Sequence, residues 1–329
     1  MAIDLLSLKP HKVSRDLSGY ITYIYGAAKT GKTTLASQMG KALLLAFERG
    51  YNAIPGIIAQ DMTSWSDMKA VLRELKKPEV RDTFQSIIVD TVDIAGSLCE
   101  KFICNQNAVD RIGAIPYGQG WTMMKNEFEN TFRAITQLGY AVFFISHDKD
   151  KVFKTKEGVE YNQIVPSCPS SFNEIVKNMA DVFAYAEKYT DDGVAKVRLI
   201  LRSVDNSVDT GCRFKYIVPE CEMSYDALVK AINDAIDEEA KVTNGKFVTD
   251  EREPLRVDTV EALDYESLIT EFNTLVATIM EKDPSQQPKI IYIVEKYLGQ
   301  GKKVSESTYA QVELIKLIND EIKDVYSLS

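Results

Sequence analysis

The strongest chemical signature in the chain is "GAAKTGKTT", residues Gly26, Ala27, Ala28, Lys29, Thr30, Gly31, Lys32, Thr33 and Thr34, between the apolar run "YITYIY" and the helical stretch "LASQMG". Its first eight residues fit G-x-x-x-x-G-K-[ST], a loop whose backbone N–H groups wrap phosphate oxygens at the start of a helix. Lys32 then reaches the β and γ phosphates of a nucleotide, and the Thr33 hydroxyl holds Mg2+. The plain alternative is a Gly/Thr-rich turn that matches by chance. Strand, loop and helix standing in order argue against it.

A second element is "FQSIIVDTVD", where Asp90 ends an apolar strand and can face the metal through water. The next residue is Thr91, whereas ATPases of the AAA+ class usually carry their catalytic glutamate there. The base that polarises water must therefore come from elsewhere. Glu48, in "LLLAFERGYNA", ends the strand after the loop helix, where open α/β sheets place ligand-facing residues. A solvated glutamate beside Arg49 is its bland reading, and Asp93 is the fallback base. The fourth strand ends in "FFISHDK", so Ser146 or His147 can report on the γ-phosphate; a lone surface histidine is the alternative.

These residues need a scaffold. Apolar strands at 20–25, 42–47, 86–90 and 141–146 alternate with helical stretches at 32–40, 65–76, 91–106 and 119–138. That alternation predicts a mainly parallel sheet sandwiched by helices. "DVFAYAEKY" and "AKVRLILR", joined by "TDDG", read as an edge hairpin, followed by a helix at 224–240. The core thus spans 1–240. The polar stretch 241–258 reads as a linker, and 259–329 as a small helical module with helices at 265–282, 287–298 and 306–325. Ser305 or Ser307 is the expected N-cap of the last helix.

Three further groups carry binding chemistry. The loop 147–171 holds Lys149, Lys151, Lys154 and Lys156 around Phe153, with Tyr161 further on, a composition suited to phosphates and stacked bases of single strands. Asp148, Asp150, Glu157 and Glu160 offset those lysines, so a solvated hairpin is nearly as good a reading. The Gly-rich stretch 105–121, with Arg111, Tyr117 and Trp121, can line the same groove. Arg202, Arg213 and Lys215 lie at or past a strand, where cations of ring- or filament-forming ATPases reach a neighbour's γ-phosphate; ordinary surface cations are the alternative.

Taken in order, "GAAKTGKTTLA", "FERGYNAIPG", "IIVDTVD" and "FFISHDK" resemble the short RecA-core ATPases of bacteriophages, the Sak-type single-strand annealing proteins grouped with phage AAA-like nucleotide-binding proteins. The resemblance covers about residues 15–235. It implies a RecA-like P-loop fold, ATP and Mg2+ as cofactors, single-stranded DNA as partner, and annealing or strand exchange in recombination. It carries Lys32 and Thr33 to phosphate and metal, Asp90 to metal and Glu48 to the base, and DNA contact only to the loops 105–121 and 147–171; in RecA-type proteins a polar residue at the place of Ser146 or His147 couples ATP to DNA binding. An annealing ATPase of this kind acts as a homo-oligomer, ring or filament, because ATP is sandwiched between subunits. Only about eighteen residues precede the first strand, fewer than the N-terminal extension of full-length recombinases.

Composition sets the limits. The chain has 329 residues, 45% of them hydrophobic, enough for one sizeable domain and a small module. Five scattered cysteines without C-x-x-C read as free thiols of a reducing, cytoplasmic compartment (the bacterial host's, if the chain is phage-encoded), and two histidines make a zinc site improbable. No signal or membrane-spanning run stands out. The net charge of −9 is concentrated from residue 250 onward, where 16 acidic face 9 basic residues; the rest is at −2. Such an acidic module can compete with DNA or dock a single-strand-binding protein. The competing functions are a RecA-core helicase or helicase loader, and a slow nucleotide-gated interaction switch. A small-molecule kinase lacks its Arg-rich lid.

Overall fold

The computed structural model describes residues 9–250 and 264–326. The chain divides into a unit ending at Leu255 and a second unit from Arg256.

The first unit opens with β1 (Val13–Ser14), a 3-10 turn, and β2 (Thr22–Gly26) leading into the short α1 (Lys32–Ala36). β3 (Ala42–Ala46) and β4 (Ile58–Asp61) precede α2 (Trp65–Leu75) and α3 (Pro78–Thr83). β5 (Ser86–Asp90), α4 (Val92–Gln106), α5 (Gln119–Gln137) and β6 (Ala141–Ser146) follow. Next come β7 (Asp148–Lys154), β8 (Glu160–Pro166), α6 (Ser170–Met179), β9 (Val182–Asp191) and β10 (Val194–Ile200). β11 (Gly211–Cys212), β12 (Glu220–Glu222), α7 (Tyr225–Thr243) and β13 (Val248–Thr249) complete it.

The main sheet runs β12-β10-β9-β2-β6-β5-β3-β4, with β11 also on β9. From β9 to β4 all neighbours are parallel, while β10, β11 and β12 are antiparallel. Alternate residues of each strand feed two cores. Tyr23, Tyr25, Val89, Phe144 and Phe183 pack with α2, α4, α5 and α6; Ile24, Leu44, Ile88, Ile145 and Ala184 pack with α1 and α7. Being covered on both faces explains why β5 and β6 read as unbroken apolar runs.

Several expectations need correction. α1 stops at Ala36 instead of residue 40, because the chain tightens to Gln38 N–Leu35 O and Met39 N–Ala36 O bonds and reverses at Lys41, with φ +49°. The β9–β10 hairpin turns at Asp192 and Gly193, both at positive φ, but β12 covers its outer strand, so it is not the edge. The stretch 241–250 is not a linker. α7 continues to Thr243, β13 pairs in parallel with β1, and Arg15 bridges Asp237 and Asp250, the latter at 2.8 Å. The rest of the expected linker, 251–258, and the start of the module, 259–263, lie outside the described residues.

In the second unit, α8 (Tyr265–Lys282), α9 (Gln287–Leu298) and α10 (Val312–Tyr326) enclose Leu275, Ile293, Ile315, Ile318 and Ile322. The cap before α10 is Thr308, boxed with Gln311, rather than Ser305 or Ser307. The Ser307 hydroxyl is spent on the Val304 carbonyl at 2.6 Å. Among the described residues no helix is long and apolar enough to cross a membrane.

Candidate nucleotide site

The phosphate loop follows β2, and its first glycine is there for a steric reason. Gly26 has φ +151°, and a Cβ on it would stand 2.6 Å from the Ala186 carbonyl oxygen of β9. Lys29 (φ 61°) and Gly31 (φ 93°) turn the loop into α1. Lys32 is buried, with Nζ donating to the carbonyls of Gly26 at 2.6 Å and Ala27 at 2.8 Å. Burial lowers its pKa, opposed by the nearby carboxylates of Asp90, Asp148, Asp93 and Glu48. Thr30 donates to the Ala27 carbonyl at 3.0 Å and fixes the loop from within. Ala28 and Thr34 complete the expected cradle, and the Ala28 carbonyl accepts from Lys188 Nζ at 3.0 Å.

β6 lies between β2 and β5, so three adjacent strand ends face the loop. Asp90, at the tip of β5, is buried and accepts from the Thr33 hydroxyl at 2.6 Å. Burial raises its pKa, with the Thr33 bond opposing. The β3–β5 pairing continues past the strand ends, where Phe47 N and Glu48 N both donate to the Asp90 carbonyl, at 2.7 and 3.0 Å. That pins Glu48 opposite Asp90. One Glu48 oxygen accepts from the Thr91 hydroxyl at 3.4 Å, and the other lies 3.3 Å from His147 Nε2. Arg49 turns away to Asp61 at 3.1 Å, so Glu48 is not the partner of its neighbour. Thr91, in the place where AAA+ ATPases usually carry glutamate, helps to orient the glutamate of the next strand.

The donor set fits a magnesium nucleotide. It combines a buried ammonium, a hydroxyl touching a buried carboxylate, and a loop shaped by positive φ angles. Among the described residues no cluster of three or more His, Cys, Asp or Glu forms a separate metal site.

A model of the AAA domain family matches residues 18–214, from just before β2 to beyond β11. The chain belongs to the AAA domain family. The match takes in the phosphate loop, Glu48, Asp90 and His147 and ends before α7. The SPbeta prophage-derived uncharacterized protein YorG of Bacillus subtilis (strain 168) is 30% identical to it over 337 aligned residues, 99% of each chain. The likeness to that relative therefore extends through the C-terminal helices.

The remaining candidates are distributed differently. The stretch 147–171 is not a loop but a hairpin, β7–β8, running into the start of α6. Its register pairs Phe153 with Tyr161 and Lys151 with Gln163, so Lys149, Lys151, Phe153 and Tyr161 share one face. Phe153 and Tyr161 stack at 5.8 Å, with Lys151 Nζ 4.8 Å above the Phe153 ring. Asp148, Asp150 and Glu160 fall on the other face with Lys154, which pairs with Glu160 at 2.9 Å; Lys156 lies in the exposed tip. The lysine-bearing face borders a cleft of about 180 Å3 against Asn173 and Lys177 of α6. On 105–121, Arg111 is exposed, Tyr117 is 97% exposed and Trp121 48%.

Arg202, Arg213 and Lys215 lie at the other end of the sheet from the phosphate loop. Arg213 pairs with Asp181, which itself accepts from Ile21 N before β2. Arg202 donates to the carbonyls of Phe214 and Lys215 at 3.2 Å, and Lys215 sits over Tyr216. None of the three faces its own chain's phosphate loop. Lys188, which does touch that loop, escaped the sequence reading because nothing in "FAYAEKY" tells how far β9 overshoots β2.

Proposed function

We propose that the chain is a Mg2+-dependent ATPase that binds single-stranded DNA and promotes strand annealing or exchange in phage recombination. The observation that carries this reading is the hairpin rooted one residue after His147, the residue beside Glu48, with its lysines and aromatic rings sorted onto one face. Bases stack on aromatic rings and phosphates meet lysines in that combination. Glu48, oriented through both oxygens, holds and takes a proton from water as general base. Lys32 would hold the phosphates, and Thr33 with Asp90, already joined by a hydrogen bond, would hold the metal that offsets their charge. The nucleotide supplies the phosphoryl group whose loss His147 reports to the hairpin root. The phage setting rests on the prophage-derived relative. A homo-oligomer and a single-strand-binding protein docked on the acidic C-terminal unit belong to the same proposal.

ATP turnover of wild type and Lys32→Ala, with single-stranded DNA, duplex DNA or single-stranded RNA, tests it. Lys32-dependent turnover raised several-fold by single-stranded DNA alone supports the reading. Flat turnover with every nucleic acid overturns it and leaves a nucleotide-gated protein switch.

A further inference from the structure

We propose that Asp93 and Ser167 form a positioning pair that ties the hairpin to the metal end of the nucleotide site. The proposal rests on the nucleotide site described above but not on what the hairpin binds.

Asp93 stands in the first turn of α4, three residues after Asp90, so it moves with the tip of β5. Ser167 is the residue after β8, where the hairpin closes. The Ser167 hydroxyl donates to Asp93 Oδ1, and the other oxygen, Oδ2, is buried without a hydrogen-bond partner among the described residues. Ser167 is thus the side-chain anchor of a carboxylate with nowhere else to turn. Its backbone N–H donates to the His147 carbonyl at 2.8 Å, and its own carbonyl accepts from Lys149 Nζ at 2.9 Å. Both strands of the hairpin therefore converge on Ser167.

The root is consequently held from two sides. His147 connects it to Glu48 at the end of β3, and Ser167 connects it to Asp93 beside the end of β5. Contact through His147 alone reports at the end of β3, and the other ties of β8, from Ile164 to Tyr25, Ser207 and Asp209, reach neither β3 nor β5. The second attachment makes the hairpin follow the relative position of β3 and β5, whose tips carry Glu48 and Asp90. Two attachments to separate strand ends transmit a displacement that one cannot. Asp93 is therefore a positioning residue, not the alternative base.

Amide exchange over 148–166, with and without Mg2+ and a non-hydrolysable ATP analogue, tests the pair in the full chain. In wild type and Ser167→Thr the nucleotide slows hairpin exchange by at least about fivefold, the low end of usual site-to-site coupling. In Ser167→Ala and Asp93→Ala that response is lost while amides of β2 and β5 stay protected. Should Asp93→Ala fail to fold, the two Ser167 variants decide. A Ser167→Ala hairpin that responds like wild type, or a wild-type hairpin that does not respond, overturns the proposal. Oligonucleotide-stimulated turnover, measured alongside, separates the two readings: its absence in wild type with the exchange result intact removes DNA and leaves the positioning pair standing.

Discussion

Lys151 and Lys154 are three residues apart, and the hairpin register assigns them opposite fates. Lys151 lies over Phe153 on the face that carries no carboxylate, whereas Lys154 is paired with Glu160 on the other. If the first face holds single-stranded DNA, Lys151→Ala removes one phosphate contact and lowers the slope of log K against log salt by about 0.7. Raising salt from about 0.05 to about 0.2 M then costs wild type roughly two- to threefold more affinity than the variant. Phe153→Ala removes a stacking platform worth about 1–3 kcal/mol per base, or roughly 5–150-fold in affinity, with the salt slope unchanged. Lys154→Ala changes neither quantity, because an exposed pair already neutralises that charge and contributes little. Fluorescence anisotropy of a labelled oligo-dT, titrated across a salt series with a non-hydrolysable ATP analogue, reads all three. Equal losses for Lys151→Ala and Lys154→Ala refute the sorting by face, and a Phe153→Ala that binds normally refutes stacking.

Three other outcomes follow from the geometry. Glu48→Gln keeps the shape but loses the base, so steady-state turnover falls by roughly 10²–10⁴ while nucleotide binding persists; retained turnover would place the base elsewhere. Burial raises the Asp90 pKa, so the native state holds that proton more tightly than the unfolded chain and is destabilised above the raised value. Asp90→Asn therefore melts higher than wild type at pH 8 without nucleotide, and the gap closes as pH falls toward the ordinary carboxylate range; a gap that widens on acidification contradicts this. Gly96→Ala puts a Cβ 2.6 Å from the ring of Phe172, which is buried and packed on Phe128, so the melting point drops by roughly 2–12 °C.

How much of this was legible depended on the range of the interaction involved. β5 and β6 appear where their apolar runs stand, and α8 and α9 where their periodicity stands, because burial on two faces or one stripe writes directly into the sequence. β4, "IAQD", was missed because a short edge strand buries too little to need an apolar run. α6 was missed because "SSFNEIVKNM" follows a polar stretch that read as one long loop. The β1–β13 pair was out of reach, as it joins residues about 235 apart by two-residue strands. At the site, local patterns alone, the phosphate-loop motif and an apolar strand ending in Asp90, single out Lys32, Thr33 and Asp90, whereas the contacts of Glu48 depend on strand order. Only with β3 beside β5 and β6 next to that do Thr91 and His147 come within reach of its two oxygens.

Strand order also changes the meaning of the charge count. Along the chain, Asp148, Asp150, Glu157 and Glu160 cancel the lysines of 149–156 in number, and a sum over the segment predicts little field. A two-residue period separates what the sum mixes: the odd positions 149, 151 and 153 point one way and the even positions 148 and 150 the other. At the root, Asp148 lies near the loop lysine and contributes to its electrostatic environment, alongside Asp90, Asp93 and Glu48. Asp148 at the root thus acts on Lys32 of the nucleotide site, and the lysine face borders the cleft against α6, where Asp209 is paired with Lys177 and Glu174 also lies. One hairpin can in this way sit beside an anion-binding loop at its base and present lysines further out, which a net charge of −9 for the whole chain conceals.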